Sequence, residues 1–123
     1  MIGYAMLGTN NYEKALEFYD KVLAPVGGKR MMDFGVSTVF GAGGGAMLGI
    51  GKPHNQEPAT SGNGTMIALA MPSREKVHEV YEAAIANGGK CEGPAGARGD
   101  TFYAGYFRDL DGNKLCAFYS PGA

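Results

Sequence analysis

The chain has 123 residues, 45% of them hydrophobic, with 11 basic and 12 acidic side chains and a net charge of -1. That is one domain's worth of length with an ordinary core fraction, and the balanced charge argues against nucleic acid or an anionic membrane surface as the main partner. No apolar run approaches the ~20 residues of a membrane helix, the start lacks a signal peptide's pattern, and Cys91 and Cys116 fit no disulfide framework or CxxC metal spacing, so a reducing, cytoplasmic setting is expected.

Residues 4–9 form a short apolar strand candidate. Asn10-Asn11 offers a helix N-cap, with Glu13 three residues after Asn10 as in a capping box. Tyr12, Ala15, Leu16, Tyr19, Val22 and Leu23 then recur at helical spacing until Pro25, Gly27 and Gly28 end the helix. Residues 30–34, 36–40 and 46–50 read as three strands, punctuated by Gly35 and the glycine-rich stretch 41–45. No Lys-Ser/Thr pair or helix start follows that stretch, so it is not a phosphate loop.

Residues 52–64 are polar, carry Pro53, Pro58 and a Ser61-Gly62-Asn63-Gly64 turn, and read as a linker. Residues 65–71 form the next strand, and Pro72-Ser73 opens a second helix. Its apolar stripe is Val77, Val80, Tyr81, Ala84 and Ile85, and Asn87-Gly88-Gly89 closes it. Residues 90–92, 101–107 and 114–119 are three further strands. The last two flank a turn at Asp111-Gly112-Asn113, whose residue types tolerate left-handed backbone angles.

The same unit is therefore written twice. Glu13-Lys14, Glu17 and Tyr19 match Glu75-Lys76, Glu79 and Tyr81 at a constant offset of 62, and Gly27-Gly28-Lys29 matches Gly88-Gly89-Lys90. The expected fold class is α+β: two tandem βαβββ modules, about 1–51 and 65–123, in a single domain. Together they form a curved mixed sheet around a cleft, with the helices outside and a ligand in the middle.

Leu7-Gly8-Thr9-Asn10, Glu17-Phe18-Tyr19, Gly88-Gly89 and the hairpin Phe107-Arg108-Asp109-Leu110-Asp111-Gly112-Asn113, taken with the paired modules, resemble the vicinal oxygen chelate superfamily. This is the group of glyoxalase I, the bleomycin-resistance proteins and the extradiol dioxygenases. The resemblance implies a divalent metal held by His and Glu from the first and last strands of each module, with open positions for two substrate oxygens. Carried over residue by residue, the first His position falls on Tyr4 and its repeat on Met66. The Glu after the closing hairpin falls on Cys116, and the fourth strand offers only Met47, Leu48 and Gly49. No metal and no cofactor is therefore expected. The first reading is a glyoxalase-like protein that binds a small organic ligand without the family's catalytic metal. A glyoxalase I-like lyase or related thiol-adduct enzyme, and a drug-sequestering resistance protein, stay open as alternatives.

The expected ligand-binding residues are Tyr4, Met66, Cys116, Tyr103, Lys52 and Arg98, with no catalytic residue assigned. Cys116 reads as a small core cysteine or a cleft thiol; the latter needs a neighbouring base or cation. Tyr103 and Tyr106 lie an odd step apart, so only one faces the cleft. Lys52 and Arg98 sit in loops suited to an anionic ligand, whereas Arg108 is expected to pair with Asp109 or Asp111. His54 lies in the polar linker, where such loops border a cleft mouth, and His78 sits one step off the apolar stripe of its helix, facing solvent or the helix edge. Partners are a small molecule, no nucleic acid and no membrane. A homodimer and a cleft within one chain both remain open.

Overall fold

In the first strand, β1 (Tyr4–Gly8), Tyr4 and Met6 are exposed while Leu7 is buried. Successive strand residues point to opposite faces, so β1 has one face in the core and one left open. The computed structural model describes residues 1–122 and repeats this arrangement in two modules. After β1 come α1 (Tyr12–Leu23), a 3₁₀ turn (Ala24–Val26), β2 (Lys29–Asp33), β3 (Ser37–Gly41) and β4 (Met47–Gly51). The second module is β5 (Ile67–Ala70), α2 (Arg74–Ala86), β6 (Lys90–Ala97), β7 (Tyr103–Arg108) and β8 (Lys114–Tyr119). Each forms a four-stranded mixed sheet, ordered β1-β4-β3-β2 and β5-β8-β7-β6, in which only the first and last strands of the module pair in parallel. This is the expected pair of βαβββ modules.

Sequence chemistry explains the helices. Asn11, not Asn10, caps α1, its Oδ1 accepting from the Lys14 N–H at 3.3 Å. Asn10 instead bonds Ala59 in the connecting segment through both ends of its amide, at 2.7 and 3.2 Å. Ser73 caps α2 through the Lys76 N–H. The repeated Gly-Gly ends each helix by two distinct means. Gly27 and Gly88 take φ of 74° and 100°, which favour glycine. A Cβ on Gly28 would stand 2.6 Å from Leu23 Cβ, and one on Gly89 would stand 2.7 and 2.8 Å from the carbonyls of Ala84 and Arg108.

The helix-covered faces of both sheets share one core. Leu7, Leu16, Tyr19, Val22, Phe40 and Ile50 join Val77, Val80, Ala84, Phe107 and Leu115 in a single buried cluster, and α1 packs against α2. The closing hairpin fastens the modules together. The buried Asp109 carboxylate accepts from the Asp111 and Asn113 N–H groups, from Asn113 Nδ2 and from the Tyr19 hydroxyl on α1 at 2.6 Å. Asn113 Nδ2 also donates to the Gly8 carbonyl at 2.9 Å, and Asp111 Oδ1 accepts from the Asn10 N–H at 2.8 Å. Arg108 pairs with Glu92 at 2.7 Å and the Gly112 carbonyl, not with the neighbouring aspartates.

Candidate functional site

The open face of the first module is built from thioethers over glycine. Tyr4 lies beside Met47 and Met6 beside Gly49 in the parallel β1–β4 register. A Cβ on Gly49 would collide with Met6 Sδ, and one on Gly41 would meet Met31 and Met47 at 3.1 and 3.2 Å. Glycine at these two places lets the methionines lie against the sheet. Tyr4, Met6 and Met31 remain 58%, 47% and 49% exposed, a large apolar surface to leave in water.

The open face of the second module is polar and aromatic. Lys114, Cys116 and Phe118 alternate along β8, and Tyr106 pairs with Cys116 across β7. Arg98 Cζ lies 5.6 Å from the Tyr106 ring centroid and Lys114 Nζ lies 5.7 Å from it. The Phe102 and Phe118 rings stack at 5.4 Å. Burial pushes the Cys116 thiol above its ordinary value, against the opposing pull of the Tyr106 hydrogen bond and the charges of Arg98 and Lys114. Desolvation, with Cys116 beside it, likewise raises Tyr106. Cys116 therefore stands as a neutral thiol, a weak nucleophile.

The expected ligand-binding residues divide into three locations. Tyr4, Cys116 and Arg98 lie on the helix-free side of the sheets, Cys116 beside Ala68 of β5, and the exposed Met66 sits just ahead of that strand. Tyr103 is on the other side. Its hydroxyl meets His78 Nε2 at 2.6 Å and its ring lies under Arg74, so Tyr106 takes the place expected for it and His78 is bonded rather than free. Lys52 and His54 line a depression of about 690 Å³ at the connecting segment. Gln56, with φ of 64°, borders it as the one non-glycine residue at positive φ among those described. Such a conformation costs of order 1–3 kcal/mol. Lys114 and Phe118 were missed in the sequence, though their two-residue spacing from Cys116 carries the signal.

These donors do not fit the divalent metal that the resemblance implies. Phenol, thioether and a protonated thiol occupy the ligand positions, where such an ion takes imidazole and carboxylate. Among the described residues, no group of three or more His, Cys, Asp or Glu converges closely enough to hold a metal. Both cysteines are free; β7 lies between their strands, as expected from the strand order.

Comparison with known proteins follows the same lines. The sequence profile described as Glyoxalase/Bleomycin resistance protein/Dioxygenase superfamily matches residues 1–117. A glyoxalase/bleomycin resistance protein from Albidiferax ferrireducens T118 is 37% identical, with a TM-score of 0.91 over 98% of this chain and 99% of that one. A glyoxalase-related enzyme from Fulvimarina pelagi has 20% identity and a TM-score of 0.79 over 98% of this chain and 88% of that one. TioX from Micromonospora sp. ML1 has 14% identity and a TM-score of 0.71 over 98% and 97%. The latter two share the fold. No curated protein matches the chain in sequence.

Proposed function

Because the chain belongs to the glyoxalase/bleomycin resistance protein/dioxygenase superfamily, we propose that it binds a small organic molecule on the open sheet faces without the divalent metal of the family's enzymes. The carrying observation is the donor set. Tyr4, Met66 and Cys116 stand where the resemblance places His and Glu, and Cys116 has a thiol raised by burial. The exposed Tyr4, Met6, Met31 and Met66 favour an apolar ligand body, since methionine surfaces adapt to varied shapes. A homodimer in the cytoplasm is part of this reading, because a second copy would cover these same side chains.

Elemental analysis of protein purified without chelators is expected to find no stoichiometric divalent ion; one tightly held ion per chain or per dimer overturns the metal-free reading. Isomerisation of a hemithioacetal, assayed with Ni, Co, Zn and Mn added in turn, is expected to give flat traces. Sedimentation velocity over a wide concentration range tests the dimer, and a species that stays monomeric throughout removes it.

A further inference from the structure

Two cations lie beside one neutral ring in the second module, neither in a direct ion pair, although Lys114 is within electrostatic reach of Glu92. The described residues make four ion pairs, and neither Arg98 nor Lys114 takes part in any of them. Glu92, the acid on the neighbouring strand, is bound to Arg108. The Tyr106 ring attracts each cation through its quadrupole, but its hydroxyl is raised by desolvation and offers no negative charge.

Arg98 is also held in place beforehand. Its Nη2 donates to the Pro94 carbonyl at 2.6 Å, and its Nη1 to Gly96 and Ala97 at 3.0 and 3.4 Å. A guanidinium has five N–H donors, so two remain for a ligand, Nε–H among them. Gly93 makes the arrangement sterically open. At φ of 155° it favours glycine, and a Cβ there would stand 3.3 Å from both Arg98 Nη2 and Tyr106 Cδ2. Beside the cations on the same face lie the buried Cys116 and the near-parallel Phe102–Phe118 stack, 18° between planes.

We propose that this face holds a subsite for a flat aromatic anion, its carboxylate or sulfonate between Arg98 and Lys114 and its ring against Phe118. The assignment rests on the ligand-binding reading above and specifies its ligand class. A planar guanidinium and a mobile ammonium suit an oxyanion that can accept from both, and a nearly coplanar phenylalanine pair suits an aromatic body.

Isothermal titration with naphthalene-2-sulfonate and its neutral counterpart naphthalene-2-methanol tests it. The sulfonate is expected to bind more tightly than the alcohol, and to weaken as salt is raised because exposed cations are screened. Lys114→Gln is expected to weaken the sulfonate about tenfold, the size of one charge-assisted hydrogen bond, with the alcohol unaffected and Lys114→Arg restoring binding. Equal affinity for the two compounds, or unchanged sulfonate affinity in Lys114→Gln, overturns the anion subsite and leaves ligand binding standing. Binding of neither compound to the wild-type protein overturns both.

Discussion

Tyr19 is fully buried, and its hydroxyl reaches across from α1 to Asp109 at 2.6 Å. Burial first, and the Asp109 carboxylate second, raise its ionisation well above the ordinary 10.0. Tyr19→Phe keeps the ring against Phe18 and Phe40 and deletes one bond to a charged group. A loss of about 1.5–3 kcal/mol is expected in urea titration at neutral pH. Because the folded value lies above the unfolded one, the hydroxyl's contribution is intact below 10.0 and is lost as pH rises beyond it. The wild-type and Tyr19→Phe stabilities should therefore converge on the alkaline side; a constant gap contradicts the account. The cysteines give a second residue-scale expectation. Cys91 is exposed and Cys116 buried with a raised thiol, so in native protein a disulfide reagent should titrate one thiol rapidly, and Cys91→Ser should remove that phase. Two equally fast thiols would show that Cys116 is reachable.

At the scale of elements, the two modules differ in their last hairpin. The first module turns from β3 to β4 through Gly43, Gly44 and Gly45, all at positive φ. The second turns through Asp109 to Asn113, whose side chains hydrogen-bond to Tyr19, Asn10 and Gly8 of the first module. Asn113→Ala removes the bonds to the Gly8 carbonyl and to Asp109 Oδ2, leaving a buried carboxylate short of a donor. The expected loss is about 2 kcal/mol, measured by chemical denaturation. Gly89→Ala drives a methyl group onto two carbonyls and should cost about 1–3 kcal/mol. The Gly-Gly repeat and the hairpin were legible because glycine at a helix end and Asp-Gly-Asn in a turn act locally. Long-range partners were not. Arg108 was expected to pair with Asp109 or Asp111, one and three residues away, and instead meets Glu92 across the sheet. Strand β6 was expected over residues 90–92; it runs on through Gly93, Pro94 and Gly96 to Ala97, with two irregularities in register. Breakers inside a strand mark bulges as readily as ends, and only the neighbouring strand decides which.

At the scale of the whole molecule, neither module has a core of its own. Phe107 and Leu115 share one buried cluster with Tyr19 and Phe40, so both halves should unfold together. Far-ultraviolet and tyrosine signals are expected to give coincident urea transitions, and two separated transitions would show independent modules. The duplicated pattern was readable from an offset of 62 because repetition survives in the chain itself. The composition of each open face was only half readable. Alternation identifies which residues share a strand face, but not which strand lies alongside; hence the sequence alone does not choose between Tyr106, which lies beside Cys116, and Tyr103.

The thioethers of the first open face also have a chemistry independent of any ligand. Peroxide converts exposed methionine to its sulfoxide, exchanging an apolar sulfur for a polar, chiral one. Met6, Met31 and Met32 of the first module lie open, as does Met66 ahead of β5, while Met71 is buried. Oxidation followed residue by residue in peptide mass spectra should therefore mark the former group first. Far-ultraviolet circular dichroism should hold steady meanwhile, since none of these four belongs to the buried cluster. An oxidising episode would thus rewrite the surface of this protein and spare its scaffold.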